Sequence, residues 1–170
     1  MSGAPPPGAD AHPAALLSAL RARDATVAIA ESLTGGLLTA ALTEPAGAST
    51  VVRGGLVVYA TDLKAVLAGV PAPLLDAEGP VSPDVAAALA AGARDRLGAT
   101  YGLSLTGVAG PDAQGEVPVG TVFAGLAGPG GGEVRSLRLD GDRVRIREAS
   151  VRAALEMLAD RLSTVAVLRP

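Results

Sequence analysis

The sequence predicts a three-layer α/β/α sandwich around a mixed, mostly parallel central sheet, and three observations carry that expectation. Short apolar runs that read as strands are interleaved with alanine- and leucine-rich segments of helical spacing, in the order α-β-α-β-α-α-β-β-β-α. Glycine- and proline-rich stretches fall between them. Near the end, "EVRSLRLD" sets Arg138 between Leu137 and Leu139, the alternation of a half-exposed, antiparallel strand.

The elements follow in order. Residues 1–12, "MSGAPPPGADAH", read as a disordered tail, and residues 13–165 as a single domain. Pro13 to about Arg23 is expected as a helix with Leu16, Leu17 and Leu20 in one stripe, and Thr26 to Ala30 as a buried strand. Thr34 to Thr43 is expected as a helix closed by Pro45 and Gly47. "GGLVVYA", from about Gly54 to Ala60, reads as a second buried strand, and "TDLKAVLAG" as a short helix with Thr61 as N-cap. "VPAPLLDAEGP" reads as a loop; Ser82 and Pro83 then open a helix that Gly98 closes. Tyr101 to Thr106 and Thr121 to Leu126 are strands separated by the loop "GVAGPDAQGEVPVG". Asp142 caps a last helix with Val151, Leu155, Leu158 and Leu162 on one face.

Composition narrows the function. Hydrophobic residues make up 49% and charged residues 18%, which suits a globular body, while aromatics at 2% argue against base-stacking platforms for nucleic acid. Fourteen Lys plus Arg against 17 Asp plus Glu give a net charge of -3, a poor match for a general phosphate-backbone binder. Without cysteine there is no thiolate ligand or Cys nucleophile, and the single histidine, His12, falls in the tail, away from any triad or zinc site. No basic-then-apolar leader and no run of about 18 apolar residues occurs, so the expectation is a soluble, cytoplasmic protein with no membrane or nucleic-acid partner.

Three stretches are candidates for chemistry. "AESLTGG" puts Glu31 and Ser32 at a strand end and Thr34, Gly35 and Gly36 at a helix start, where bare N–H groups and the positive helix end would receive a phosphate or carboxylate. The alternative is a tight strand-to-helix turn with Ser32 or Thr34 as cap. "TGVAGPDAQG", with Thr106, Gly107, Ala109 and Gly110, would open on the same sheet end if the strands are parallel; otherwise it is a mobile connection. Neither the Walker A pattern nor G-x-G-x-x-G is present.

The third stretch contains Lys64, the only lysine beside thirteen arginines. Its place in the first turn of a helix opposes a cation, and burial lowers an ammonium pKa further; a drop from about 10.4 toward 7 to 8 costs about 4 kcal/mol. A neutral lysine is a base, whereas arginine stays protonated. Ser49, in the turn "AGAST", is the nucleophile expected for that base, and Tyr59, on the intervening strand, its proton relay. The alternative is an exposed lysine, a turn serine and a core-edge tyrosine.

Taken together, "AESLTGG", "AGAST...GGLVVYATDLK", "LSLTGVAGP", "PVGTV" and "GDR" at 141–143 resemble the CinA C-terminal-domain family, which includes nicotinamide-nucleotide amidohydrolases. The resemblance runs from about Ala14 to Leu162. It implies a mixed α/β/α domain, usually a homo-oligomer, that takes a pyridine nucleotide as its small-molecule partner. The implied reaction converts the carboxamide of nicotinamide mononucleotide to a carboxylate and ammonia without cofactor or metal. Carried over by position, Ser49 is the nucleophile, Lys64 the base and Tyr59 the assisting residue; Glu31, Ser32, Thr34, Gly35, Gly36, Thr106, Gly107, Ala109 and Gly110 are then the candidates for holding the phosphate and ribose. Departures from the usual pattern are Leu33 in place of a cysteine, Ala60-Thr61 in place of Ser-Asn, Glu78-Gly79-Pro80 in place of His-Gly-Ala, and Val117 in place of a basic residue. A catalytically silent nucleotide-binding module is the alternative function. A weaker one is a phosphatase with Glu31, Asp62 and Asp112 around a divalent ion.

Overall fold

A computed structural model describes residues 11–167. Of the expected tail, residues 1–10 lie outside the described residues. His12 caps the first helix, its Nδ1 accepting from the Ala14 amide at 3.3 Å.

Five strands form one sheet: β1 (Val27–Glu31), β2 (Val52–Val57), β3 (Tyr101–Gly107), β4 (Thr121–Ala127) and β5 (Glu133–Arg138). Their spatial order is β2-β1-β3-β4-β5, with β2, β1 and β3 parallel and β4 antiparallel to both β3 and β5. The mixed sheet is therefore parallel on one side and meandering on the other, as expected. Helices α1 (Pro13–Arg21), α2 (Leu37–Thr43) and α6 (Arg143–Val167) cover one face, and α5 (Pro83–Leu97) lies across the other.

Strand alternation assigns side chains to the two layers. Val27 and Ile29 join Leu16, Leu38, Leu103 and Leu158 on the α6 side. Ala28 and Ala30 join Val58, Val85 and Leu89 on the α5 side. That second layer is thin because small residues face each other. A Cβ on Gly102 would collide with the Ala90 carbonyl, and the Ser104 hydroxyl donates to the Ala86 carbonyl at 2.6 Å. The alanine-rich helix thus rests almost directly on the strands.

Four local expectations are corrected. The "loop" from Val70 to Pro80 contains a helix, α4 (Ala72–Glu78), whose prolines occupy the cap and first turn, where a missing N–H costs nothing, while Leu75 is buried. Helix α2 begins at Leu37 rather than Thr34, because Gly35 and Gly36 take positive φ of 57° and 107° and form a turn. Strand β2 is the sheet edge, alternating half-buried and exposed instead of fully buried, and it ends at Val57. Finally, Thr61 is the first residue of α3 (Thr61–Val66) and Ala60 occupies the cap position. By contrast, Ser82 caps α5 through the Val85 amide at 3.2 Å, and Asp142 caps α6 through the Arg145 amide at 2.9 Å.

The order β2-β1-β3 makes β1 the point where the chain's path across the sheet reverses. It passes from β1 to its neighbour β2 through α2 on one face, and returns to β3 through α5 on the other. Crevices at the carboxyl ends of such strands receive ligands.

Candidate active site

At the carboxyl end of β1, successive side chains take opposite sides of the sheet, and they have different tasks. Glu31 is fully buried on the α2 side. Its carboxylate accepts from the amides of Gly36 (3.2 Å), Leu38 (2.9 Å) and Thr39 (2.8 Å) and from the Thr39 hydroxyl (2.7 Å). The expected bare helix end is therefore filled by the protein's own anion. Glu31 replaces the ligand that Thr34, Gly35 and Gly36 were expected to hold, and none of these four residues borders the cavity described below.

Ser32, one residue on, points the other way. Its hydroxyl accepts from the Lys64 ammonium at 2.9 Å, and the same Nζ donates to the Val58 carbonyl at 2.9 Å. Lys64 is only 1% exposed, and among the described residues it has no carboxylate partner. Burial without a counter-charge lowers its pKa from 10.5 to about 8. A short helix that follows the sheet-edge strand lays this side chain back under the end of β1.

Ser49 does not meet Lys64 within the chain. It sits exposed in a short 3-10 turn, Ala48–Thr50, before β2, whereas Lys64 follows β2. Six strand residues lie between, about 20 Å at 3.3 Å per residue. Next to Ser49, Thr50 is tied to the opposite end of the sheet, its hydroxyl accepting from Arg21 Nε at 3.1 Å. The expected Ser49–Lys64 pair is thus replaced by Ser32–Lys64. Tyr59 lies in the loop after β2, not on the strand; it is 61% exposed, and its hydroxyl accepts from Arg143 Nη2 at 3.3 Å rather than bonding Lys64.

Ser32 and Lys64 form part of the wall of a cavity of about 290 Å3. Its other sides are Leu33, Tyr59 and Thr61, the Pro80–Val81 bend, the loop from Gly107 to Gly110, and Asp112, Gln114 and Arg143. The two glycine-containing stretches do open on one sheet end, as the parallel β1–β3 pairing requires. Thr106 is the exception in its segment: it is fully buried, and its hydroxyl donates to the Pro80 carbonyl at 2.7 Å, bracing the wall instead of facing the cavity.

Two arginines on α6, one helical turn apart, went unassigned by the sequence reading. Arg143 donates to the Gly110 carbonyl at 2.8 Å as well as to Tyr59. Arg147 donates through Nε to the Leu33 carbonyl (2.9 Å) and through Nη2 to the Thr34 carbonyl (3.0 Å), fixing the two peptides that follow Ser32. The i, i+4 spacing in "RVRIR" was the available signal. Thr34 keeps a buried hydroxyl without a hydrogen-bond partner among the described residues. The carboxylate set Glu31, Asp62 and Asp112 does not assemble, since both Glu31 oxygens are taken by α2.

Residues 9–162 match the family model described as the CinA C-terminal domain. The chain belongs to that family. As a CinA-family domain it is 57% identical over 143 residues to a CinA-like protein of Frankia casuarinae, covering 84% of this chain and 33% of that one. It is 50% identical over 147 residues to a CinA-like protein of an Anaeromyxobacter species, covering 86% and 36%. The chain thus spans about a third of the length of these curated relatives. Among solved structures, the competence/damage inducible protein CihA from Agrobacterium tumefaciens is 37% identical with a TM-score of 0.85, covering 96% of this chain and 99% of that one. A CinA superfamily protein from Klebsiella pneumoniae is 28% identical with a TM-score of 0.85, covering 91% and 96%. Among the described residues, no helix is long and apolar enough to cross a membrane.

Proposed function

We propose that this CinA-family domain is an amidohydrolase that converts the carboxamide of nicotinamide mononucleotide to a carboxylate and ammonia, with Ser32 as nucleophile and Lys64 as general base. The observation that supports it is the 2.9 Å contact between a buried, unpaired amine and a hydroxyl on a cavity wall. With a pKa of about 8, about a tenth of Lys64 is neutral at pH 7. A neutral amine keeps two hydrogens and a lone pair. One hydrogen goes to the Val58 carbonyl, and the lone pair accepts the Ser32 hydroxyl proton.

The Ser32 oxygen attacks the carboxamide carbon while its proton passes to Lys64. The resulting oxyanion takes hydrogen bonds from backbone N–H groups of the cavity wall, from Leu33 on one side and Ala109 to Gly110 on the other. The C–N bond breaks as the Lys64 ammonium returns the proton to nitrogen, which leaves as ammonia. Water, deprotonated by Lys64, then cleaves the acyl-serine, and the lysine gives the proton back to Ser32. Tyr59 is the only aromatic residue on the wall and offers its ring to the pyridinium. With this reading go a metal-independent reaction, a cytoplasmic setting and self-association of the chain.

The test is ammonia release from nicotinamide mononucleotide in excess chelator. Turnover that survives in the unsubstituted protein and disappears in Ser32→Ala supports the mechanism. Full activity of Ser32→Ala overturns it, and tight nucleotide binding with no turnover in the unsubstituted protein favours a silent binding module.

A further inference from the structure

Helix α5 is rich in alanine, and Ala91 and Ala93 flank its one interior glycine, Gly92. Glycine weakens a helix interior relative to alanine, so its presence there points to a close approach by another segment. That segment is the one that carries the lysine. Any Cβ on Gly92 would collide with the Ala68 carbonyl, just past the end of α3. The carbonyls of Ala86 and Ala90 meet Gly125 and Gly102 and seat α5 on the sheet, whereas Gly92 seats the end of α3 on α5. Ala68 is fully buried and lies one turn beyond Lys64, since the helical bonding continues from Leu67 to Leu63 and from Gly69 to Ala65. Lys64 and Ala68 therefore share the inward face of that helix. One turn along α5 from Gly92, Arg96 lies over Gly69, and its Nη1 donates to the Val66 carbonyl at 3.3 Å. The Val70 amide donates back to the Lys64 carbonyl at 3.0 Å, which ties the lysine's own peptide to this docked end.

We propose that Gly92 is a positioning residue for Lys64: its bare Cα lets the end of α3 rest on α5 at the depth that brings Nζ to Ser32 and the Val58 carbonyl. A side chain at position 92 would lift the Ala68 carbonyl by on the order of 1 Å before ordinary contact is restored, and a displacement of that size costs a reacting pair about a hundredfold. Both hydrogen bonds of Nζ are 2.9 Å long, so the same displacement breaks them. The amine then turns from the buried wall toward the water of the cavity. This rests on the amidohydrolase reading for what the lysine does, but the place of the amine is measurable without turnover. Lys64 is the only lysine, so lysine labelled with carbon-13 at Cε gives one side-chain signal whose titration follows this amine alone. The other titratable groups around it are Tyr59, Asp112 and Arg143 on the cavity wall, exposed Asp62 on α3 and Glu31 across the sheet, and the substitution changes none of them.

The experiment compares the full chain with Gly92→Ala and Ala68→Gly by lysine titration, by ammonia release from nicotinamide mononucleotide and by melting. In Gly92→Ala the lysine midpoint should rise from about 8 to above about 9 as the amine gains water. Its kcat should fall by about tenfold or more while KM stays within about twofold. Ala68→Gly takes a buried methyl out of the same contact instead of adding one, and it decides the matter if Gly92→Ala does not fold. It should lower kcat by about threefold or more and move the midpoint in the same direction. A lower melting temperature with kcat and lysine midpoint as in the parent means that Gly92 only packs one helix on another, and overturns the proposal. So does a midpoint at or below the parent's in Gly92→Ala, or parental values in Ala68→Gly. Failure of the amidohydrolase reading is separately visible, as no ammonia released by the unsubstituted protein, while the lysine midpoint still decides the role of Gly92.

Discussion

Lys64 reaches from the helix after β2 to place its Nζ 2.9 Å from the Ser32 hydroxyl at the end of β1, and among the described residues no acidic group pairs with its charge. The two residues are 32 positions apart and meet because β1 and β2 run side by side in parallel. In the proposed reaction that single contact is the path of the serine proton.

Substitution should separate the two serines. Lys64→Arg is expected to lower ammonia release by about a hundredfold to ten-thousandfold, the usual range for a positioned base, and Ser32→Ala by at least about ten-thousandfold. Ser49→Ala, at the opposite end of the sheet, should stay within about twofold. The assay is steady-state ammonia formation, with melting curves to verify folding.

Activity should follow the lysine. Because its folded pKa is about 8, kcat/KM is expected to rise with pH and level off above about 8, where the amine is neutral. A profile flat from pH 6 to 10 would remove Lys64 from the role of base.

The same shift predicts a stability trend. Between about pH 8 and 10.5 the unfolded chain keeps the lysine proton that the folded chain has lost, so stability should rise with pH across that window. The gain is at most about 3 kcal/mol at 1.36 kcal/mol per pKa unit. Below pH 8 both states are protonated and the burial penalty is present in full. Urea midpoints measured over the window should show the slope in the parent and lose it in Lys64→Met.

Glu31 is expected to matter for folding before it matters for catalysis. Glu31→Ala leaves the α2 amides without their acceptor and should cost about 3 kcal/mol, given about 1.5 to 3 for hydrogen bonds to charged groups. Melting temperatures should fall by about 2 to 4 °C per kcal/mol. Unchanged melting would show that water replaces the carboxylate without loss.

Arg147 holds the Leu33 and Thr34 carbonyls from behind the cavity wall and does not itself line the cavity. As a positioning residue it should affect kcat more than KM: Arg147→Ala is expected to lower kcat by about tenfold or more while KM changes little. Arg147→Lys should not fully rescue, because one ammonium cannot reproduce the two-point contact.

The strand and helix pattern was legible because buried strands alternate with helix caps that have distinct signatures, such as Ser82-Pro83 and Asp142. Helix α4 was hidden by Pro71 and Pro73, which signal a loop as readily as a first turn. Scarcity singled out Lys64, and burial supplies the reason for it. The serine was harder. Alternation along β1 separates Glu31 from Ser32, but which side of the sheet holds the cavity depends on where α5 and α2 pack, and that is not written in β1 itself. Only the family resemblance and its glycine-flanked turn point to Ser49, and the length of an edge strand keeps it from Lys64. Arg143 enters the sequence analysis only through the family-like "GDR" at 141–143 and Arg147 not at all; their partners lie more than 30 and 110 residues away.

The chain's sole lysine is 1% exposed and lies on the cavity wall, so an amine-directed reagent meets position 64 either through the cavity or after the fold opens. Comparing modification with and without a cavity ligand separates the two routes, readable by mass on one peptide without any engineered probe.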